Sequence, residues 1–331
     1  MQTEGIVLAS RPAGMPSAEN FRFEAVSLPE LQEGQVLIRT TYISVDPYMR
    51  GRMSDRKSYI APFTVGEVIT GGAVGIVAAS KSKHLQAGDT VTGDWGWQRH
   101  AVCRDKQVRK VDERYATAAL GVLGMPGLTA YFGLLDICQP QKGETVVVSG
   151  AAGAVGMTVG QIAKIKGART VGIAGSDEKL AYLRDELGFD AVVNYRSDQL
   201  KDELKAACPN GVDAYFDNVG GTLSDLVMRL INKHARISIC GQIASYNLEK
   251  ADVGPRVQTP LLMKSAMMKG FIVSDYAPRF KEGAAQLTQW VQEGRIKYRE
   301  HMVEGFERTP EAFLGLFKGE NTGKLLVKIS E

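Results

Sequence analysis

Residues 144–167 constrain the architecture more than any other stretch: the apolar run Thr145-Val146-Val147-Val148-Ser149 leads into Gly150-Ala151-Ala152-Gly153-Ala154-Val155-Gly156 and then into an amphipathic segment that stops at Gly167. A compact apolar run bounded by turn residues is the signature of a strand buried on both faces, as in parallel sheets. Val155, Val159, Ile162 and Ala163 then share one helical face. The pattern repeats downstream. A strand is expected at 170–174. Ser176 follows as an N-cap, with Asp177 and Glu178 in the first turn, a Leu180, Leu183, Leu187 stripe and a stop at Gly188. Further strands are expected at 191–195, 213–217, 236–240 and 271–273, with a helical pattern at 222–231. Alternating strands and helices of this kind predict an α/β fold with a doubly wound parallel sheet.

The flanks read differently. Residues 36–44 alternate apolar and polar after Gly34, residues 66–79 are valine-rich and broken by glycines, and Ala87-Gly88-Asp89 marks a turn before Thr90-Val91-Thr92. These are short antiparallel strands of a small barrel. The tail adds helices at 284–293 and 310–318 and a strand at 324–329. A length of 331 residues suits two domains.

The 150–156 loop has the context that gives a glycine motif chemical meaning, between a buried strand and a helix. A pyrophosphate needs the backbone N–H groups of a helix N-terminus, and a Cβ would block its approach. Gly153 is expected to give that close approach, and Gly156 the tight helix–strand packing. The spacing is G-x-x-G-x-x-G, and a tight turn with no ligand is the competing reading. Gly71-Gly72-Ala73-Val74-Gly75 is a decoy, because a strand-like Ile76-Val77-Ala78-Ala79 follows it, and it reads as a bend between barrel strands.

The second strand selects the cofactor. An NAD enzyme usually ends it with an acid, ~20 residues on, that binds the ribose 2′-hydroxyl. Here it ends in Ala174-Gly175-Ser176, which leaves room for a 2′-phosphate. Lys179 and Tyr195 make a phosphate clamp, although Lys179 alone could equally be a solvated helix lysine.

Composition narrows the rest. Forty basic against 37 acidic residues leave a net charge of +3, too balanced to imply a nucleic-acid or membrane partner. No apolar run approaches the ~20 residues of a bilayer span, and the N-terminus lacks a signal pattern, so a cytoplasmic protein is expected. Cys103, Cys138, Cys208 and Cys240 are widely scattered, as are His84, His100, His234 and His301. Reduced thiols and no metal site are expected.

Several motifs carry a resemblance. GMPGLTAYFGLL at 124–135, AAGAVG, GSDEK at 175–179, NY at 194–195 and YFDNVGG at 215–221 are among them, with CGQIASYN at 240–247, KGENTGK at 318–324 and DPYMRGRM at 46–53. Over nearly its whole length the sequence resembles the zinc-independent alkenal/prostaglandin reductase branch of the medium-chain dehydrogenase/reductases. That branch includes curcumin-type and plant double-bond reductases. The resemblance implies a GroES-like β-barrel catalytic domain, 1–124 with 296–331, and a Rossmann NADP-binding domain, 125–295. It implies NADPH as cofactor. Gly150, Gly153, Ala154, Val155 and Gly156 would hold the pyrophosphate. Lys179 and Tyr195 would hold the adenosine 2′-phosphate, Gly175 and Ser176 would also bind the cofactor, and Asn218 would lie by the ribose. Cys240, Gly241, Ile243, Tyr246, Phe271, Ile272 and Val273 would flank the nicotinamide, with Asn321 closing over it. The barrel has Asp46-Pro47-Tyr48 and no histidine before His84, so the resemblance does not extend to zinc.

The implied reaction is reduction of the C=C bond of α,β-unsaturated aldehydes and ketones, with hydride at the β-carbon and a proton at the α-carbon. Charge develops on the carbonyl oxygen and calls for a donor. Tyrosine, neutral at pH 7, suits that task. Tyr246 is the first candidate, as donor or relay, with cofactor packing as its other reading. Tyr59 and Tyr48 are further candidates, equally readable as pocket wall or barrel core, and Arg50 and Arg52 are expected to pair with acids at the surface. Loops 53–63 and 245–259 are expected to set the pocket's size. An NADPH quinone reductase is the nearest alternative and a non-enzymatic NADPH-binding redox sensor a more distant one. A homodimer is expected from the resemblance.

Overall fold

The computed structural model describes residues 1–329. The chain forms two compact units, 1–121 together with the C-terminal segment from residue 300, and 122–299.

The 122–299 unit is built on six parallel strands: Thr145–Val148, Arg169–Ala174, Ala191–Asn194, Val212–Asp217, Ile231–Ile239 and Met267–Gly270. Numbered in that order they lie 3-2-1-4-5-6 across the sheet, the doubly wound Rossmann arrangement. Every residue of Thr145–Val148 is buried, as its uninterrupted apolar character requires. The helix Ala154–Ile165 follows directly, burying Met157, Val159, Ile162 and Ala163. The reversal of strand order falls between the first and fourth strands, where the carboxyl ends of this sheet open a crevice.

Local departures from the sequence expectation have physical causes. After Ser176 the chain is α-helical only through Asp177–Ala181 and then widens into a π turn, Tyr182–Glu186. The wider turn buries Tyr182 beside Leu183, with the Arg299 guanidinium 4.1 Å from its ring. The last strand is Met267–Gly270, not 271–273. Phe271 lies just beyond it because its ring packs edge-on against Phe216 and covers Gly133, where a Cβ would sit 2.4 Å from Phe271 Cζ. The fifth strand starts at Ile231, earlier than the expected 236, because polar Asn232-Lys233-His234 hide its apolar pattern. A helix at Leu200–Ala207 went unread for the same reason, only Leu204 and Ala207 being buried.

The other unit is antiparallel apart from one parallel pair, Glu300–Glu304 beside Lys324–Lys328. Its seven-stranded sheet runs Glu300–Glu304, Lys324–Lys328, Gln35–Ser44, Ala73–Ser80, Thr90–Gly93, Val108–Lys110, with His100–Arg104 also on Gln35–Ser44. A second pair, Gln2–Leu8 with Phe21–Ser27, forms its own sheet and makes isolated bridges to the loop residues Gln98 and Val68 through Gly5 and Val7. The core centres on Trp97, stacked on Phe21 at 5.8 Å and edge-on to Phe313 at 5.9 Å. This is the GroES-like barrel. Arg50 corrects an expectation: it is buried, and Nη2 donates to the Gly14 carbonyl at 2.7 Å. Arg52 donates to the Ala61 carbonyl and lies 4.0 Å over the Phe63 ring. Among the described residues no helix is long and apolar enough to cross a membrane.

Candidate active site

In the Rossmann unit the first strand hands the chain to Gly150, whose φ of +58° only glycine adopts cheaply. Ala151 N–H donates to the Ile173 carbonyl at 3.0 Å and ties the loop to the neighbouring strand. Gly153 N–H closes on the Gly150 carbonyl at 3.0 Å, and Gly153 becomes the extended N-cap of Ala154–Ile165. The first-turn amides have no acceptor within the helix and form its positive end. Gly153, Ala154 and Val155 are half-exposed, whereas the helix behind them is buried. A Cβ on Gly156 would stand 2.3 Å from the Gly150 oxygen, so glycine is required there by packing. A Cβ on Gly153 would meet only that same oxygen, at 3.3 Å.

At the end of the second strand, Ser176 Oγ accepts from Lys179 N–H at 3.4 Å. Tyr195 N–H donates to the Ala174 carbonyl at 3.0 Å, and the Tyr195 ring lies so close over Gly175 that a Cβ would come within 2.5 Å of it. Lys179 is half-buried; burial and, next, the nearby Arg196 charge push its pKa below the usual lysine value. The Arg196 guanidinium lies 5.6 Å from the Tyr195 ring. The structure therefore gathers Gly175, Ser176, Lys179 and Tyr195 and adds Arg196, which the sequence reading missed. Its signal was adjacency: Asn194-Tyr195-Arg196 is one run.

Asn218 lies at the carboxyl edge of the same sheet, its Nδ2 donating to the Ser149 carbonyl at 2.8 Å and its N–H to Ser149 Oγ at 2.9 Å. The loop after the fifth strand packs on it: Ile243 N–H donates to the Asn218 carbonyl at 3.5 Å and Ala244 N–H to the Val219 carbonyl at 3.0 Å. Tyr246 is half-buried, and its Oη accepts from Gln242 N–H at 3.4 Å. A Cβ on Gly241 would lie 3.2 Å from that oxygen. Burial, reinforced by the Asp217 charge, pushes the Cys240 thiol up to about 12. Phe271, Ile272 and Val273 are half-buried just past the sixth strand. Asn218, Cys240, Gly241, Ile243 and Tyr246 thus share one edge with the 150–156 loop.

Tyr48, Tyr59 and Asn321 belong to the barrel unit. Tyr48 starts the short helix Met49–Arg52 and packs against the apolar core. Burial first, then the Asp46 and Asp94 charges, hold its phenol well above the ordinary tyrosine value, so it stays a donor. Tyr59 is 63% exposed. Asn321 Nδ2 donates to the Gly323 carbonyl at 2.8 Å. Next to it, Lys324 is buried; its Nζ donates to Asp46 Oδ1 at 2.6 Å and to the Val45 carbonyl at 3.1 Å, while Asp46 Oδ2 accepts from Ser44 Oγ. Among the described residues no group of three or more His, Cys, Asp or Glu side chains is placed to hold a metal.

A Rossmann sheet with an anion-ready loop, joined in sequence to a GroES-like barrel, defines a dehydrogenase/reductase class of protein. The sequence matches the N-terminal domain of oxidoreductase over residues 4–111 and the zinc-binding dehydrogenase family over 154–290. The chain belongs to the medium-chain dehydrogenase/reductase family. It is 57% identical to YfmJ of Bacillus subtilis (strain 168), over 98% of this chain and 97% of that one. It is 46% identical to the NADPH-dependent curcumin reductase of Escherichia coli (strain K12), over 98% of this chain and 96% of the relative. The crystal structure of CurA from Vibrio vulnificus in complex with NADPH superposes with a TM-score of 0.94 at 46% identity, covering 99% of each chain.

Proposed function

We propose that this protein is an NADPH-dependent reductase of the carbon–carbon double bond of small α,β-unsaturated aldehydes and ketones. The observation that carries the reading is the acid-free end of the second strand, where Lys179, Tyr195 and Arg196 converge beside Gly175. Two or more cationic groups next to a phenol suit a 2′-phosphate, and a carboxylate there would repel it. The residues fit the rest of the dinucleotide: the half-exposed first turn at Gly153, Ala154 and Val155 offers amides to a pyrophosphate, and Asn218 lies at the same sheet edge for the ribose. The reaction type draws on relatives that are curcumin and prostaglandin reductases, including the bovine prostaglandin reductase 1 at 44% identity over 95% of each chain.

Bound there, NADPH supplies the hydride for the β-carbon of the substrate. The chain's own task is to place that carbon and to stabilise the charge that appears on the carbonyl oxygen. Tyr246 is the proposed donor to that oxygen, worth on the order of 3 kcal/mol by analogy with oxyanion holes. Tyr48, a phenol kept protonated by its surroundings, is the second candidate donor, and Tyr59 a candidate wall. Asn321 is proposed to act on the cofactor's nicotinamide end, and Cys240, Gly241, Ile243, Phe271, Ile272 and Val273 to pack against it.

A homodimer fits the open sheet edge Met267–Gly270, with Met267 43% exposed and Leu262 and Met263 of the preceding helix 81% and 74% exposed. Sedimentation of the wild type and of Leu262→Glu checks this, with loss of the dimer in the variant as the expected result.

The functional test is NADPH oxidation over a panel of alkenals, enones and quinones. Turnover of 2-nonenal and related enals is expected, with Tyr246→Phe lowering kcat tenfold or more and changing NADPH affinity less. Turnover confined to quinones would favour a quinone reductase, and NADPH binding without any turnover a sensor.

A further inference from the structure

Two of the loops proposed to hold the dinucleotide leave neighbouring strands of one sheet, the first and the fourth, and a single buried side chain connects them. Asp217 ends the fourth strand and is 1% exposed. Its Oδ1 accepts from Ser149 Oγ at 2.9 Å, Tyr215 Oη at 2.8 Å, Val219 N–H at 3.0 Å and Gly220 N–H at 2.9 Å. Its backbone carbonyl accepts from Cys240 N–H at 2.8 Å and Gly241 N–H at 3.1 Å. Ser149 stands one residue before the 150–156 loop, Val219 and Gly220 follow Asn218, and Cys240 opens the segment that ends in Tyr246.

We infer that Asp217, through Ser149 and Tyr215, is a positioning residue that fixes the phosphate loop and the Asn218 turn relative to one another. The inference rests on the proposed NADPH site. Its physical basis is the donor set. The four donors to Oδ1 are neutral dipoles, each useful only in one direction, so a buried carboxylate held this way dictates the place of every donor. Tyr215 stays a donor, because burial and then the Asp217 charge hold its phenol well above the ordinary value. The turn that follows reverses at Gly220 and Gly221, at φ +72° and +59°, where glycine is freely accommodated, and the Val219 and Gly220 amides give that turn one fixed orientation toward Asp217. Ser149 is the hinge pin of the arrangement. Its hydroxyl donates to Asp217 and accepts from Asn218 N–H, and its carbonyl accepts from Asn218 Nδ2. Loss of that hydroxyl removes two of these three bonds and leaves only the Asn218 Nδ2 bond to the Ser149 carbonyl.

The test is calorimetric NADPH titration and steady-state kinetics on full-length Ser149→Ala and Tyr215→Phe, with Leu204→Ala as a control. Leu204 is fully buried in the core of the same unit, so its truncation lowers stability without touching the network. Ser149→Ala is expected to weaken NADPH binding about tenfold and Tyr215→Phe about threefold, with kcat at saturating NADPH falling less than twofold in each and Leu204→Ala binding as wild type. Wild-type affinity in both network variants would overturn the inference. So would equal weakening in Leu204→Ala at a matched fall in melting temperature, since affinity would then follow general stability. A wild type that fails to bind NADPH at all would instead overturn the site, and this inference with it.

Discussion

Two glycine-rich runs look alike in this sequence, 71–75 in the barrel unit and 150–156 in the Rossmann unit, and the absent side chains serve different ends. In the barrel the space is taken by protein: a Cβ on Gly71 would lie 2.2 Å from Met49 Cε, and one on Gly75 2.4 Å from the Arg39 carbonyl oxygen, beside a bulge in the strand pairing. In the Rossmann loop Gly156 behaves like Gly75, pressed against the Gly150 carbonyl, but Gly153 meets a single atom at 3.3 Å and is half-exposed. A glycine run alone therefore does not mark a ligand. What separates the two is the element each run enters: 71–75 passes into the strand Ala73–Ser80, so that Ala73, Val74 and Gly75 belong to a strand and not to the expected bend, whereas 150–156 passes into the helix N-terminus at Ala154.

Substitutions sharpen that contrast. Gly156→Val should be the most damaging, because the three nearest atoms are all rigid backbone, whereas one of those at Gly75 is the Ile38 side chain; a loss of at least about 3 kcal/mol in denaturant unfolding, with no NADPH binding, is expected. Gly75→Val should cost about 2 kcal/mol by the same measure while the folded protein binds NADPH as wild type. Impaired NADPH affinity there would break the comparison. Gly153→Val should do the reverse, raising the Kd for NADPH tenfold or more with a melting temperature within a few degrees of wild type. Retained affinity in that variant would mean that the Rossmann loop is only a turn. Gly71→Ala should be the mildest, under about 1 kcal/mol, since the clashing atom is the end of a flexible methionine.

The same contrast explains what was legible in advance. The α/β class and the doubly wound sheet could be read because the Rossmann strands are buried runs separated by capped helices; Ser176 caps its helix where the sequence placed it, and Gly167 and Gly188 take left-handed φ just past their helices. The barrel's outer strands were harder. Phe21–Ser27 buries only Phe21, so nothing in its pattern marks an inside. The individual residues of the 150–156 loop and of the Lys179–Tyr195 region were legible because backbone chemistry demands glycine or a missing acid at known spacings. Arg196 and the Ser149–Tyr215–Asp217 network were not, since ordinary residue types acquire their meaning only when separate strand ends meet. The Lys324–Asp46 pair is a similar case, two charges 278 positions apart brought together by strand pairing.

That pairing has a consequence for how the molecule is made. The strand Gln35–Ser44, near the start of the chain, lies against Lys324–Lys328, near its end. On the ribosome residues 1–121 emerge without the strands Glu300–Glu304 and Lys324–Lys328 of their own sheet, whereas residues 122–299 contain every strand of theirs. The nucleotide-type sheet can therefore form before the barrel, which waits, open-edged, until the strand Lys324–Lys328 has been made.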